Sequence, residues 1–158
     1  MAAEASSPRA AALAALLRER AESLIAVIEP IDADRWMAVP TPGVWSIGKD
    51  AAHVAEATFM HRWIVHRSVG HMVPSRRSGV ERKEMTTDLS PADVVALLRQ
   101  RTEDGAHLLI ELAEEELDRP TRPPRARGQL LGETIERVLI GHYDTHRAEI
   151  EAKLRALG

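Results

Sequence analysis

Apolar residues return every three or four positions over four long stretches of the chain, and no segment alternates in the manner of a strand. The first stretch runs from Pro8 to Glu29, with Leu13, Leu16, Leu17, Leu24, Ile25 and Ile28 at helical spacing. Pro30 ends it, and Ile31 to Val44, with Pro40, Pro42 and Gly43, reads as a loop. Ser46 offers an N-cap for a second helix that reaches Val69 and closes at Gly70. A basic connection containing Gly and Pro follows, from Gly70 to Leu89.

The third helix carries the clearest start signal: Ser90 caps, Pro91 occupies the first turn and Asp93 sits where a capping-box acid belongs. Its stripe is Val94, Leu97, Leu98, Leu108, Leu109 and Leu112. Asp118 to Gly128 is rich in Pro and Arg and cannot be helical throughout. The fourth helix spans Leu131 to Leu157, and its stripe reads Ile135, Val138, Leu139, His142, His146, Ile150, Leu154. One amphipathic helix cannot hide its own apolar face, so the four must pack together. The expectation is an all-α chain, a four-helix bundle with long second and third connections, forming a single domain over residues 1–158.

Composition narrows the picture. The chain has 158 residues, enough to bury a core, and with 44% hydrophobic but 3% aromatic residues that core is aliphatic. A net charge of −3 gives no field to draw nucleic acid or an anionic membrane. No uncharged run nears the roughly 20 residues that span a bilayer. The Ala/Leu run from Ala10 to Leu17 lacks a basic leader and a cleavage site, so a soluble cytoplasmic protein is expected. The chain holds no cysteine, which excludes disulfides, zinc ribbons and a thiol nucleophile; any metal must rest on His and carboxylate.

The two histidines in the fourth stripe are the candidate chemistry. At i, i+4 on one helix face, His142 and His146 can share one ion, and His53 lies on the core side of the second helix. The plain alternative is that each ring is buried and satisfied by a neighbouring carboxylate or carbonyl. Against it, both rings continue an apolar stripe, where neutral imidazoles without partners are costly. A three-His set suits zinc, nickel, iron or copper, and suits magnesium or calcium poorly. Glu56, Asp144 and Glu149 could orient the rings, or be surface charges. His61 lies two turns beyond His53, too far along the axis to share its ion. His66 faces nearly the opposite side, His71 falls in the loop, and His107 reads as solvated. Glu114, Glu115 and Glu116 read as a solvated helix end.

Trp45-Ser46 opening a helix, then His53-Val-Ala-Glu56, resembles the second-helix motif of the DinB-like superfamily. Thr134 to Ile150, with its H-x-x-x-H, resembles that family's fourth-helix motif, and the order of elements fits over essentially the whole chain. The resemblance implies a bundle with a three-His site for a divalent metal, here His53, His142 and His146, often in a homodimer. Relatives include bacillithiol- or mycothiol-dependent transferases, mycothiol-dependent maleylpyruvate isomerases, DNA-damage-inducible proteins and self-protection proteins acting on electrophilic metabolites.

Three functions follow as candidates. The first is a metal-dependent transferase or hydrolase that activates water or a low-molecular-weight thiol against a small electrophile, with Arg76, Arg77, Arg82 and Lys83 available to the thiol's carboxylates. The second is a binding or self-resistance module whose metal is structural. The third, a nucleic-acid-associated protein, rests on Arg119 to Arg127, which lacks interleaved aromatics and is opposed by the acidic whole; Pro120 to Pro123 reads as linker.

Overall fold

The computed structural model describes residues 7–71, 89–122 and 129–158. Arg76, Arg77, Arg82 and Lys83 lie outside the described residues, as do residues 123–128 of the Pro/Arg-rich connection.

The N-caps of the first three long helices are local chemistry, and those at Ser46 and Ser90 form where the sequence places them. The Ser7 hydroxyl accepts from the Ala10 N–H at 3.1 Å and opens α1 (Pro8–Ile28). Ser46 accepts from the Lys49 N–H and opens α3 (Ile47–Val69), which Gly70 ends in the left-handed region at φ 77°. Ser90 and Asp93 form the reciprocal capping box at the start of α4 (Pro91–Ile110). Between α1 and α3 the expected loop contains a short helix, α2 (Ala33–Met37), capped by Asp32. It exists to place Trp36, which is 2% exposed and donates its indole N–H to Leu89 O at 2.9 Å. Gly48 makes room for that ring: a Cβ there would lie 2.5 Å from Trp36 Nε1.

After α4 comes α5 (Glu114–Leu117), where a solvated helix end is expected. Glu114 is not simply solvated: it accepts from the Ser7 hydroxyl and from Arg9 Nη1, tying the start of α1 to this turn. The last long helix is continuous but not uniform. α6 (Leu131–Thr134) passes into a π-helical stretch, Ile135–Ile140, and then α7 (Gly141–Leu157). A π turn inserts one extra residue, and each residue is worth about 100° of helix rotation. Ile140 and Tyr143 are buried beside the expected Ile135, Leu139, His146 and Ile150.

Both α1 and α3 pack against α4 and α7, so the consecutive long helices α1 and α3 face each other across the core. Leu17, Leu24, Leu98, Leu109 and Ile150 fill it with no exposed surface. Each such side chain contributes about 1.5–3 kcal/mol of burial. At the centre, the Tyr143 hydroxyl lies 2.8 Å from Thr58 Oγ1 and 3.0 Å from Thr102 Oγ1. Thr58 donates to Val54 O, so its oxygen accepts from Tyr143, which in turn accepts from Thr102. The architecture is an all-α four-helix bundle. No helix among the described residues is long and apolar enough to cross a membrane.

Candidate metal centre

Histidines 53, 142 and 146 converge. His53 sits in the second turn of α3, while His142 and His146 occupy the first two turns of α7, directly after the π-helical stretch. Their ring centroids are 5.2 Å (His53–His142), 5.1 Å (His53–His146) and 4.4 Å (His142–His146) apart, all edge-on. One nitrogen from each lies within 4.8 Å of the other two. His142 Nε2 is buried without a hydrogen-bond partner. A buried nitrogen lone pair without a donor is open to a cation, and here it lies in the set of three converging rings. His53, His142 and His146 are thus a donor set that would suit a divalent transition-metal ion.

The electrostatics favour the ligating form. Burial, reinforced by His146, His61 and His53, pushes His142 down to about 3. Burial and then His146 lower His53, against the opposing pull of Glu56, Asp50 and Glu149. Both rings are thus neutral at pH 7, with a lone pair available and no proton to displace.

Of the three carboxylates expected to orient the rings, the structure brings one to a histidine. Glu149 Oε2 lies 3.0 Å from His146 Nδ1, close but without hydrogen-bond alignment. Asp144 instead pairs with Arg20 at 3.1 Å, and Glu56 makes no direct contact with the rings. Asp50, absent from the expected set, is the more buried acid: 2% exposed, with Oδ1 3.9 Å from His146 Nδ1 and Oδ2 accepting from Lys153 Nζ. His61 keeps to expectation in standing outside the set. It is not one of the three converging rings, yet it packs edge-on against His142 at 5.3 Å, because α7 crosses α3 and carries His142 toward it. Burial and His53 push His61 down to about 4. His66 and His71 pair with each other, and His107 is exposed.

Through His146 the cluster borders an open surface depression of about 550 Å³. Segment 40–45 supplies one side and the last turns of α7 the other, with His146, Asp50 and Lys153 among its lining. The Trp45 ring packs edge-on against His53 at 5.1 Å and remains 39% exposed.

Comparison with known proteins agrees with this architecture. A sequence profile described as the DinB superfamily matches residues 5–150. Among solved structures, YfiT from Bacillus subtilis is similar with a TM-score of 0.73 at 18% identity, covering 100% of this chain and 93% of that one. YfiT is described as a probable metal-dependent hydrolase with an unusual four-helix bundle topology. No protein of curated function matches the chain.

Proposed function

The chain belongs to the DinB superfamily, and on that premise we propose that His53, His142 and His146 hold one divalent transition-metal ion, zinc, nickel or iron. The proposed activity is hydrolysis of, or thiol transfer to, a small electrophile. The observation that carries the reading is the convergence of one nitrogen from each of the three rings to within 4.8 Å of the others. When bound, the ion supplies Lewis acidity that makes water or a thiol nucleophilic at neutral pH. The chain's own part is to hold three rings edge to edge, with the Glu149 carboxylate set beside His146 Nδ1, and to present the adjoining surface depression to a substrate. With no cysteine in the sequence, a thiol enters only as a small co-substrate. YfiT's description supports the hydrolytic arm, and the family resemblance supports the thiol arm together with a homodimer.

Elemental analysis of tag-free protein, refilled with zinc or nickel and desalted, tests the site. About one equivalent per chain is expected, and His142→Ala should lose most of it; wild-type protein that retains none refutes the metal. Turnover of an electrophile panel with and without added thiol then tests the activity. Tight ligand binding with no turnover would move the reading to a sequestering protein with a structural metal. A single-chain mass in sedimentation equilibrium would refute the homodimer.

A further inference from the structure

His146 has two ring nitrogens, and two acids stand against one of them. Nδ1 is buried and has no hydrogen-bond partner. Glu149 Oε2 lies 3.0 Å from it without hydrogen-bond alignment, and Asp50 Oδ1 lies 3.9 Å from it. Hydrogen bonds in such sites are often long and tighten when a ligand is held.

The two acids differ in what could replace them. Glu149 follows His146 by three residues on α7, and its side chain is 51% exposed, so water can take over its part. Asp50 comes from the other helix, α3, three residues before His53, and is 2% exposed. A buried acceptor has no such substitute, and its loss leaves the donor unsatisfied. Asp50 Oδ2 accepts from Lys153 Nζ, which pins the carboxylate and leaves Oδ1 as the oxygen facing His146.

We propose that Asp50 is a positioning residue that keeps the His146 proton on Nδ1 and so leaves the Nε2 lone pair to the metal. A neutral imidazole carries one proton, and the hydrogen bond made at one nitrogen decides which of the two holds it. The two nitrogens point away from each other, so a ring with Nδ1 toward the acids offers Nε2 to the side of His53 and His142. A proton on Nε2 would have to leave before an ion could bind there. The inference rests on the three-His metal reading and adds to it the tautomer and the residue that sets it.

Asp50→Asn tests it, because the amide keeps the shape but has one oxygen and an NH2 in place of two oxygens. Lys153 can only donate, so it claims the oxygen and leaves the NH2 facing Nδ1. His146 should then carry its proton on Nε2. Asp50→Asn/Lys153→Met frees the amide to turn its oxygen back to Nδ1, and the wild-type tautomer should return. Long-range proton–nitrogen correlation spectra of the isotope-labelled, chelator-treated full chain in mildly alkaline buffer report the protonated nitrogen, with His146 assigned by its loss in His146→Gln. Zinc affinity is measured on the same proteins by chelator competition. It should fall roughly 10–100-fold in Asp50→Asn and stay within threefold of wild type in the double variant and in Glu149→Gln. A wild-type proton on Nε2, an Asp50→Asn protein with wild-type tautomer and affinity, or a Glu149→Gln protein as weak as Asp50→Asn overturns the proposal. Zinc retained by wild type with His146 protonated on Nε2 refutes this inference alone. Wild type that carries the proton on Nδ1 but retains no zinc refutes the metal reading, and not the hold of Asp50 on the ring.

Discussion

Acid should destabilise this fold through its interior histidines, and His61 allows the effect to be isolated. In the unfolded chain its imidazole titrates near 6.5, and in the folded protein burial holds it down to about 4. The unfolded state therefore binds the proton more tightly, so the contribution is fully present above pH 6.5 and is lost as pH falls toward 4. Between pH 7 and pH 4 a shift of that size corresponds to about 2–3 kcal/mol, allowing for solvent screening of a partly buried group. His142, pushed down to about 3, adds loss in the same direction. His61→Phe removes one titration, keeps an aromatic edge against His142 and fills the small void beside the ring. Urea unfolding of chelator-treated wild type and variant at matched pH values gives both profiles. The gap between them should close by about 2–3 kcal/mol in the variant's favour from pH 7 to pH 4. Parallel profiles would refute the reasoning, since they would mean that His61 is solvated enough to protonate freely in the folded protein.

Two packing predictions follow from the same core. Gly48→Ala would add about 1 kcal/mol of helix propensity in an open site, yet here its Cβ meets the Trp36 ring at 2.5 Å. The expected sign is reversed, a net loss of about 1–2 kcal/mol by thermal or urea unfolding with a shifted Trp36 environment; a stabilised variant would show that α2 yields freely. Tyr143→Phe leaves the Thr102 hydroxyl without its acceptor in the bundle centre and should cost about 1–3 kcal/mol. An unchanged midpoint would mean that Thr102 finds another partner.

What the sequence made legible was chemistry that acts within a few residues. Ser46 and Ser90 cap helices by reaching a backbone N–H three positions on, and such signals survive without tertiary information. The histidine pair was legible because a four-residue spacing on an apolar stripe fixes both face and depth. α2 left no trace because five residues anchored by Trp36 alone set up no period. The π-helical stretch depends on how Ile135–Ile140 packs, which composition does not encode; Tyr143, by contrast, falls on the stripe at i+4 from Leu139 and i−3 from His146. His61 was set aside by its axial distance from His53, a measure along one helix that says nothing about where a second helix crosses. Asp50 and Lys153 are separated by 103 positions and meet only in the folded chain.

That last pair also separates function from stability. Taking two charges out of water is expensive, and a buried ion pair is often no more stabilising than the apolar side chains that could replace it. Asp50 sits in the first turn of α3, where the helix dipole favours an acid, but this contributes only about 0.3–1 kcal/mol. Removing one partner is a different matter. Lys153→Met leaves Asp50 at 2% exposure with no cation against it, which should cost about 3–5 kcal/mol. Asp50→Ala/Lys153→Met removes both charges and should return to within about 1 kcal/mol of wild type. A double variant as unstable as the single one would make the pair a structural brace. Recovery of stability together with loss of zinc affinity would place its role beside His146, because a pair that the fold does not need is then needed by the site.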